Sequence, residues 1–379
     1  MLFDKNIDFY ETILSKQLEK LSSRQTQKYN KNTDNLKYTN TFVIEYSSRN
    51  PLLNYDYLIK KLESYGLKQS KEPKANHLFG IISNKFYETN FNLLNNFQLT
   101  KYIEDKFNLF VNMEMYFTEF YNKNYPKSFM LLQYHKWEDL KNELYIARPI
   151  EGEAGHDIIV IDNKANFQKT QKILMNPKYS GISLTQYVKN PLLFNGHKMH
   201  LRVYFAITLI NNVFNSYLLD EGCIYIAKNK YKNEDWNNKD IHDTHFGNSR
   251  RALYFPDDLY KNTKIQNETS YQIIYNKMCE HLEYVSKIAS INIYQYETTK
   301  NTFEVFGIDF LIKDDLTVFI MELNARYVGY EAAKNNEHLI HKYFDWIDDI
   351  AIKPCLFPNL EIIKSRSNTS IYTCKILNY

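Results

Sequence analysis

Apolar and polar residues alternate in two neighbouring segments late in the chain, EVFGIDFLI (304–312) and VFIMELN (318–324). Successive side chains of a β-strand point to opposite faces, so the pattern predicts a hairpin with a short polar turn. Strict alternation places an apolar set on the core face: Phe306, Ile308, Phe310, Ile312, Phe319, Met321 and Leu323. It places three polar residues among apolar ones on the other face: Val305, Gly307, Asp309, Leu311, Val318, Ile320, Glu322 and Asn324.

The same patterning predicts the elements before this hairpin. Residues 201–210 and 215–227 indicate strands, and 270–291 indicates an amphipathic helix. Strands and helices do not alternate strictly, which favours an α+β fold over a doubly wound sheet. Polar stretches near residue 75 indicate a domain boundary.

A helix is also predicted over residues 8–29, with a cation on one side every four residues. This stripe is consistent with a docking face for an acidic chain, although such stripes are more often solvated surface. The cations are Lys16, Lys20, Arg24 and Lys28.

Composition narrows the class of protein. The chain has 379 residues with 44% hydrophobic and 24% charged residues, which is typical of a soluble globular protein of two or three domains. The net charge of +3 is too small to indicate nucleic-acid binding. Four scattered cysteines form no CxxC pair, and the start of the chain carries acids where a signal peptide is basic and apolar. No stretch reaches the ~20 apolar residues of a membrane span, so we expect a cytoplasmic, intracellular protein.

The three polar residues of the hairpin predict a cation site. Depending on the turn, Asp309 lies directly opposite Glu322 or diagonal to it, about 5–8 Å away. Two carboxylates so close repel unless a cation lies between them. With Asn324 they form the oxygen-donor set that suits Mg²⁺ carrying phosphates. The alternative is that one of the acids pairs with an Arg or Lys elsewhere in the chain.

Two upstream segments offer cations. In RPIEGEAGHDI (148–158), Arg148 ends a predicted strand, and Gly152 and Gly155 allow the loop backbone to approach phosphate oxygens. Alone, this loop is more typical of an ordinary hairpin than of a phosphate site. Even spacing puts Lys198 and Arg202 on one strand face together with His200 and Tyr204. Both a solvent-exposed edge and a phosphate site are consistent with that polar face.

Taken in order, these motifs resemble the tubulin-tyrosine ligase-like branch of the ATP-grasp enzymes. That family has a KPxxGxxGxGI loop, a QKYIxxPLLxxGxKFDLRxY block, HLTN, ELFGFDFLxD and LLEVN. This chain has RPIEGEAGHDI, TQYVKNPLLFNGHKMHLRVY (185–204), HDTH (242–245), EVFGIDFLIKD (304–314) and IMELN (320–324). The resemblance implies an ATP-grasp fold in which two α+β subdomains clasp ATP, behind a small N-terminal domain. We expect the domains to span 1–75, 76–188 and 189–379, the first being a possible partner-docking domain.

The resemblance also implies roles for individual residues. Arg148, with the loop glycines Gly152 and Gly155, would contact phosphates. Lys198 and Arg202 would approach both the phosphates and the reacting centre. The hinge that meets adenine would consist of Gln186, Tyr187 and Val188. The Mg²⁺ ligands would be Asp309, Glu322 and Asn324. Candidates for substrate contact are His200, Tyr225, Thr244, His245 and Arg326.

Several positions depart from the family pattern. Arg148 replaces a lysine, Asp157 replaces the last loop glycine, and His200 replaces an aspartate. His245 replaces the asparagine of HLTN, and Tyr225 replaces an arginine. ATP binding therefore follows from the resemblance more directly than the choice of substrate does.

The activity that the resemblance implies is an ATP- and Mg²⁺-dependent carboxylate–amine ligase. It would join an amino acid to an acidic protein acceptor, such as a tubulin-like tail, through an acyl phosphate. One alternative is a ligase that acts on a non-tubulin peptide or a small molecule. Another is a nucleotide-binding pseudoenzyme that serves as a protein-interaction module. Nucleic acid and membranes are not expected as partners.

Overall fold

The structure is a computed structural model. It describes residues 41–45, 55–70, 77–80, 93–94, 103, 108–132, 135–150, 157–245, 250–254, 256–265, 267–295, 301–325, 337–357 and 373–378. The helix predicted over 8–29 lies outside the described residues.

The strands are β1 Thr41–Glu45, β2 Lys68–Gln69, β3 His77–Gly80, β4 Leu93–Leu94, β5 Ser128–Leu131, β6 Tyr145–Pro149, β7 Ile159–Ile161, β8 Ile182–Gln186, β9 Leu193–Phe194, β10 His197–Ile210, β11 Val213–Lys230, β12 Arg250–Tyr254, β13 Asn301–Ile312, β14 Val318–Ala325 and β15 Thr373–Asn378. The helices are α1 Asp56–Ser64, α2 Asn108–Tyr116, α3 Thr118–Asn124, α4 Trp137–Leu140, α5 Lys164–Leu174, α6 Lys239–His242, α7 Pro256–Asn262, α8 Glu268–Gln295, α9 Glu337–Ile347 and α10 Lys353–Leu356. A π-helical segment, Asp348–Ile352, joins α9 to α10.

The larger sheet has eleven strands within the described residues. Its order is β12-β11-β10-β13-β4-β3-β1-β2, with β14 paired to β13, β15 to β11 and β9 to β10. Strands β10 to β14 pair antiparallel, whereas β1 to β4 pair parallel and join the sheet at the start of β13. The four antiparallel strands of the smaller sheet follow the order β5-β8-β6-β7. Both sheets carry helices that do not alternate with strands, which confirms the α+β class.

Both faces of the large sheet are buried. One face packs against α8 through side chains such as Leu201, Val203 and Phe205. The opposite face packs against α1 and α9 through residues such as Tyr204 and Trp346. Strand β10 is therefore buried along almost its whole length, which explains its nearly continuous apolar sequence. Of the two explanations left open for its polar residues, the solvent-exposed edge is wrong, because Lys198, His200 and Arg202 are buried.

A β-bulge corrects the predicted faces of the late hairpin. Asp309 pairs with Glu322, as one of the two predicted turns requires, but the next residue, Phe310, pairs with Ile320. Met321 is the extra residue, so the parity of β14 changes there. Val318 and Ile320 enter the core beside Phe310, whereas Phe319 and Met321 are only half-buried. The predicted core positions of Phe319 and Met321 were therefore wrong.

The strand pairing crosses the predicted domain boundaries. Strands β1 and β2, from the predicted N-terminal domain, pair in the same sheet as β13 from the predicted C-terminal domain. The division at residues 75 and 188 remains a prediction. Within the described residues, none of the helices has both the length and the apolarity needed to cross a lipid bilayer.

Candidate active site

A cleft of about 240 Å³ is lined by residues of both sheets. The smaller sheet supplies Ile146, Arg148 and Val160, and strands β10, β13 and β14 of the large sheet supply nine lining residues. Most of the others belong to the segment around α6. Seven of the predicted site residues line it: Arg148, Tyr187, Lys198, His200, Arg202, Thr244 and His245. The three predicted metal ligands line it too: Asp309, Glu322 and Asn324. The cavity thus brings together predicted site residues that are up to 176 positions apart in the chain, as Arg148 and Asn324 are.

Arg202 and Asp309 form a buried charge pair in the floor of the cleft. They face each other across β10 and β13, and the guanidinium donates through Nε to Oδ1 and through Nη2 to Oδ2 at 2.7 Å. Burial alone would raise the pKa of Asp309, but Arg202 and His200 hold it well below its usual value. Asp309 is therefore ionised, and its charge is shared with a guanidinium. The alternative of an acid paired with an arginine is realised at this position.

Aromatic rings surround His200 beside this pair. The His200 ring stacks on Tyr225 at 4.8 Å between ring centroids, and His245 lies 4.5 Å from His200. Nδ1 of His200 is 2.6 Å from the Thr244 hydroxyl oxygen. Burial and the neighbouring His200 lower the pKa of His245 to about 3, despite the opposing effect of Asp309. The His245 imidazole is therefore neutral at physiological pH.

Lys198 is a buried cation at one wall of the cleft. Its ammonium donates a hydrogen bond of 3.0 Å to the hydroxyl of Tyr187, which is 3.0 Å from Nδ1 of His242. Because Nε2 of His242 lies 2.9 Å from the carbonyl oxygen of Glu234, Nε2 carries the proton and Nδ1 accepts from Tyr187. Burial lowers the pKa of Lys198 to about 8, although Asp243 opposes that shift.

Arg148 reaches the cleft from the smaller sheet. It donates to the Met321 carbonyl oxygen at 3.1 Å and to the Thr185 hydroxyl at 3.2 Å. The bulge at Met321 thus holds the side chain that the sequence predicts to contact phosphate. Its Nε is buried and has no hydrogen-bond partner. Burial lowers the pKa of Arg148, and Glu322 partly opposes the shift.

Glu322 and Asn324 lie on the same face of β14 beside Asp309. The Asn324 amide nitrogen donates to Glu322 Oε1 at 3.2 Å and weakly to the Gly307 carbonyl oxygen at 3.4 Å. Both hydrogen-bonding capacities of this nitrogen are therefore used, which leaves the amide oxygen available to a cation. The three oxygen-bearing residues are brought together as predicted.

Other predicted positions lie elsewhere. Gln186 donates to Glu143 outside the cleft, and Val188 is not among the described residues that line it. Tyr225 lies beneath His200, behind the cleft wall. Asp157 has a positive φ of 58° and accepts a hydrogen bond from Tyr179, so it occupies a backbone conformation suited to glycine. Gly152, Gly155 and Arg326 lie outside the described residues, so their predicted roles remain predictions.

Sequence reasoning missed one wall of the cleft. The segment around α6 contributes four residues that the motifs did not contain: Trp236, Asn237, Asn238 and Lys239. It also contributes His242 and Asp243, which belong to the HDTH motif but were assigned no role. Trp236 contacts Tyr187 edge-on, with ring centroids 5.1 Å apart. A tryptophan in the mostly polar stretch NEDWNNKDIHDTH is the signal that could have identified this wall.

Comparison with known proteins gives a family match. The sequence pattern of the tubulin-tyrosine ligase family matches residues 82–347. This range contains all of the described cleft residues.

Two curated relatives match part of the chain. A probable tubulin–tyrosine ligase of Schizosaccharomyces pombe is 24% identical over 210 residues, which cover 53% of this chain and 47% of the relative. A probable tubulin polyglutamylase of Mus musculus is 26% identical over 201 residues, which cover 48% of this chain and 34% of the relative. The chain therefore spans about half of the first relative and about a third of the second.

Proposed function

The chain belongs to the tubulin-tyrosine ligase family, and from this we propose that it is an ATP- and Mg²⁺-dependent ligase that joins an amino acid to a protein carboxylate. The observation that carries the proposal is a single cleft in which buried cations face a set of oxygen donors. The cations are Arg148, Lys198 and Arg202, and the donors are Asp309, Glu322 and Asn324. We propose an ATP-grasp arrangement in which the two sheets form the walls around the nucleotide.

The cations fit a polyphosphate. Lys198 and Arg148 are buried with lowered pKa values, and neither forms an ion pair within 4 Å among the described residues. An isolated buried charge is costly, so an anionic ligand would stabilise both groups. The unpartnered Nε of Arg148 offers one more donor to such a ligand. Because Arg148 has a planar guanidinium with several donors where the family has a lysine ammonium, we expect a bidentate contact with phosphate oxygens.

The oxygen donors fit Mg²⁺. Glu322, the amide oxygen of Asn324 and the Asp309 carboxylate are hard ligands, and Arg202 occupies only part of the lone-pair capacity of Asp309. Bound there, Mg²⁺ would neutralise phosphate charge. Asp309 therefore has two roles in the proposal, since it holds Arg202 in place and provides an oxygen to the cation.

The proposed chemistry requires positioning more than a side-chain nucleophile. ATP supplies the phosphoryl group that converts a carboxylate into an acyl phosphate, from which an amine displaces phosphate to form an amide. Lys198 and Arg202 stabilise negative charge at the transferring group, and their burial strengthens that effect. The bonds of Arg202 to Asp309 fix the guanidinium before substrates bind, which is the geometric requirement of such catalysis.

We propose the two substrates from the type of reaction alone. An amino acid and an acidic protein tail similar to that of tubulin are the substrates that we propose. Two residues of the cleft wall, His200 and His245, replace an aspartate and an asparagine of the family pattern. These changes favour a second candidate, a ligase of the same mechanism that acts on a non-tubulin peptide or a small molecule. We propose that Gln186, Val188, Gly152, Gly155 and Arg326 complete the nucleotide and substrate contacts, in a cytoplasmic enzyme.

Label transfer tests the proposal. The chain is incubated with Mg²⁺, ATP, labelled amino acids and a panel of acidic peptides, and products are measured by mass spectrometry. We expect one peptide to gain an amino-acid mass only with ATP, and Glu322→Gln to abolish the gain. Labelled small molecules alone would support the second candidate. Absence of any product, together with no nucleotide binding, would indicate a protein-interaction module instead.

A further inference from the structure

Two histidines and an aspartate converge in the floor of the cleft. His200, His245 and Asp309 each offer one nitrogen or oxygen atom that could bind a metal ion. These three atoms lie within 4.8 Å of one another. Nε2 of His200 is 3.4 Å from Oδ1 of Asp309, and Nε2 of His245 is 3.7 Å from Oδ2. In a tetrahedral Zn²⁺ site each ligand atom lies about 2.1 Å from the metal, so two ligand atoms lie about 3.4 Å from each other. The two nitrogen–oxygen distances are therefore close to those between ligands of one ion.

The buried Nε2 atom of His200 forms no hydrogen bond. The His200 side chain is 1% exposed, and its Nε2 has no hydrogen bond although it faces Asp309. A buried polar atom without a partner is costly, so such atoms are rare unless a ligand satisfies them. This observation is independent of the clustering of the three residues, and it too indicates a bound group at this point.

The orientation of His200 is that of a metal ligand. Its Nδ1 is already engaged by Thr244 at 2.6 Å, so only Nε2 remains for an ion. Histidine ligands commonly bond through their second nitrogen to a neighbouring group, which fixes the ring. Stacking on Tyr225, with ring planes 11° apart, adds a second constraint on the ring.

Arg202 does not block the site. Each oxygen of an ionised carboxylate has two lone pairs, and the guanidinium uses one on each oxygen of Asp309. A second lone pair on each oxygen remains for a cation.

We propose that His200, His245 and Asp309 form a binding site for a divalent transition-metal ion, with Thr244 as a positioning residue. Two imidazole nitrogens and one carboxylate oxygen suit Zn²⁺ and similar ions, whereas Mg²⁺ prefers oxygen donors. The site lies on the β10 side of Asp309, and Glu322 lies on the β14 side. Asp309 is the one residue that it shares with the proposed Mg²⁺ ligands, so the two ions would be neighbours.

Cobalt spectroscopy tests the site without nucleotide or turnover. The tag-free full chain, stripped of metal, is titrated with Co²⁺ and then with Zn²⁺. We expect visible absorption that saturates at one equivalent of Co²⁺ and disappears as Zn²⁺ displaces it. Substitution His245→Gln should weaken binding by at least about tenfold, and Thr244→Val by about tenfold. The matched control is His341→Gln, which removes a half-exposed imidazole on α9 and should leave the titration unchanged.

The outcomes separate this site from the ligase proposal. A wild-type chain without a saturable signal, or a His245→Gln chain that binds as tightly as wild type, overturns the metal site. Neither result bears on Mg-ATP binding. If His245→Gln fails to fold by circular dichroism, the wild-type and Thr244→Val titrations decide the question. Metal binding without any amide formation would leave this site in place and remove the ligase proposal alone.

Discussion

Arg202 and Asp309 face each other on adjacent strands and form a buried ion pair with two hydrogen bonds. The pair joins two parts of the candidate site, because Arg202 lies on β10 with Lys198, and Asp309 lies on the β13–β14 hairpin with Glu322 and Asn324. Their strands share a long antiparallel pairing, from Leu201 opposite Phe310 to Leu209 opposite Thr302. The geometry of the cleft floor is therefore fixed by the sheet itself.

Breaking this pair should destabilise the fold. Arg202→Met or Asp309→Leu leaves a buried charge without its partner, and we expect each to lower the free energy of unfolding by about 3–5 kcal/mol. The double variant Arg202→Met/Asp309→Leu should lose much less than the sum of the two single losses. Urea denaturation of the four chains measures the coupling. Additive losses would contradict an energetically coupled pair.

Gly222 should not tolerate a methyl group. It lies opposite Val203 at a register shift, and a Cβ there would overlap the carbonyl oxygen of Arg202. We expect Gly222→Ala to cost about 2–3 kcal/mol and to weaken nucleotide binding, since the backbone that carries Arg202 must move.

The control for this prediction is Gly66→Ala. Gly66 has a φ of 80° with open space around it, so its substitution adds backbone strain of about 1–2 kcal/mol without a clash. It should leave nucleotide affinity unchanged. If the Gly222→Ala and wild-type chains bound nucleotide with equal affinity, the close packing of Gly222 against the Arg202 backbone would not position Arg202.

Stability should fall in acid because of His281. Burial lowers the pKa of His281 to about 4 from 6.5, and its Nε2 donates to the Val318 carbonyl oxygen at 2.9 Å. Between pH 6.5 and 4 the unfolded chain binds more protons, so unfolding becomes easier as the pH falls through that window. The full effect is on the order of 3 kcal/mol.

Denaturation at pH 7 and pH 5 measures this effect. Substitution His281→Gln lowers stability at pH 7 but should reduce the further loss between the two pH values. His341→Gln, which changes a half-exposed histidine, should follow the wild-type slope. The same pH slope in wild type and His281→Gln would refute the role of this imidazole.

The sequence predicts much of the hairpin and of the cationic strand because alternation sorts side chains by face. It predicted that Lys198, His200 and Arg202 share a face, and the cleft contains all three. It could not predict the bulge at Met321, because the alternation of apolar and polar residues does not mark where an extra residue is inserted. The position of a bulge depends on the pairing with β13. Burial of the polar face of β10 depends on the smaller sheet and α6, which lie in other parts of the sequence.

The histidine pair shows a second limit. His200 and His245 were visible as departures from a family pattern, but 44 intervening residues separate them in the chain. Their contact depends on β11 folding back beside β10 and on α6 returning the chain to the cleft. The spacing of the two histidines in the sequence does not indicate that they are close in space. The cluster of His200, His245 and Asp309 could therefore be recognised only from the structure.

Calorimetric titration with Mg-ATP is the most direct test of the proposed cleft. We expect one nucleotide per chain, and Lys198→Met should weaken binding by at least about tenfold, because it removes a buried charge worth about 1.4 kcal/mol or more to an anion. Lys228→Met removes a half-exposed lysine that pairs with Asp240 outside the cleft and should bind as wild type. Failure of the wild-type chain to bind Mg-ATP, or equal affinity in Lys198→Met, would contradict the account.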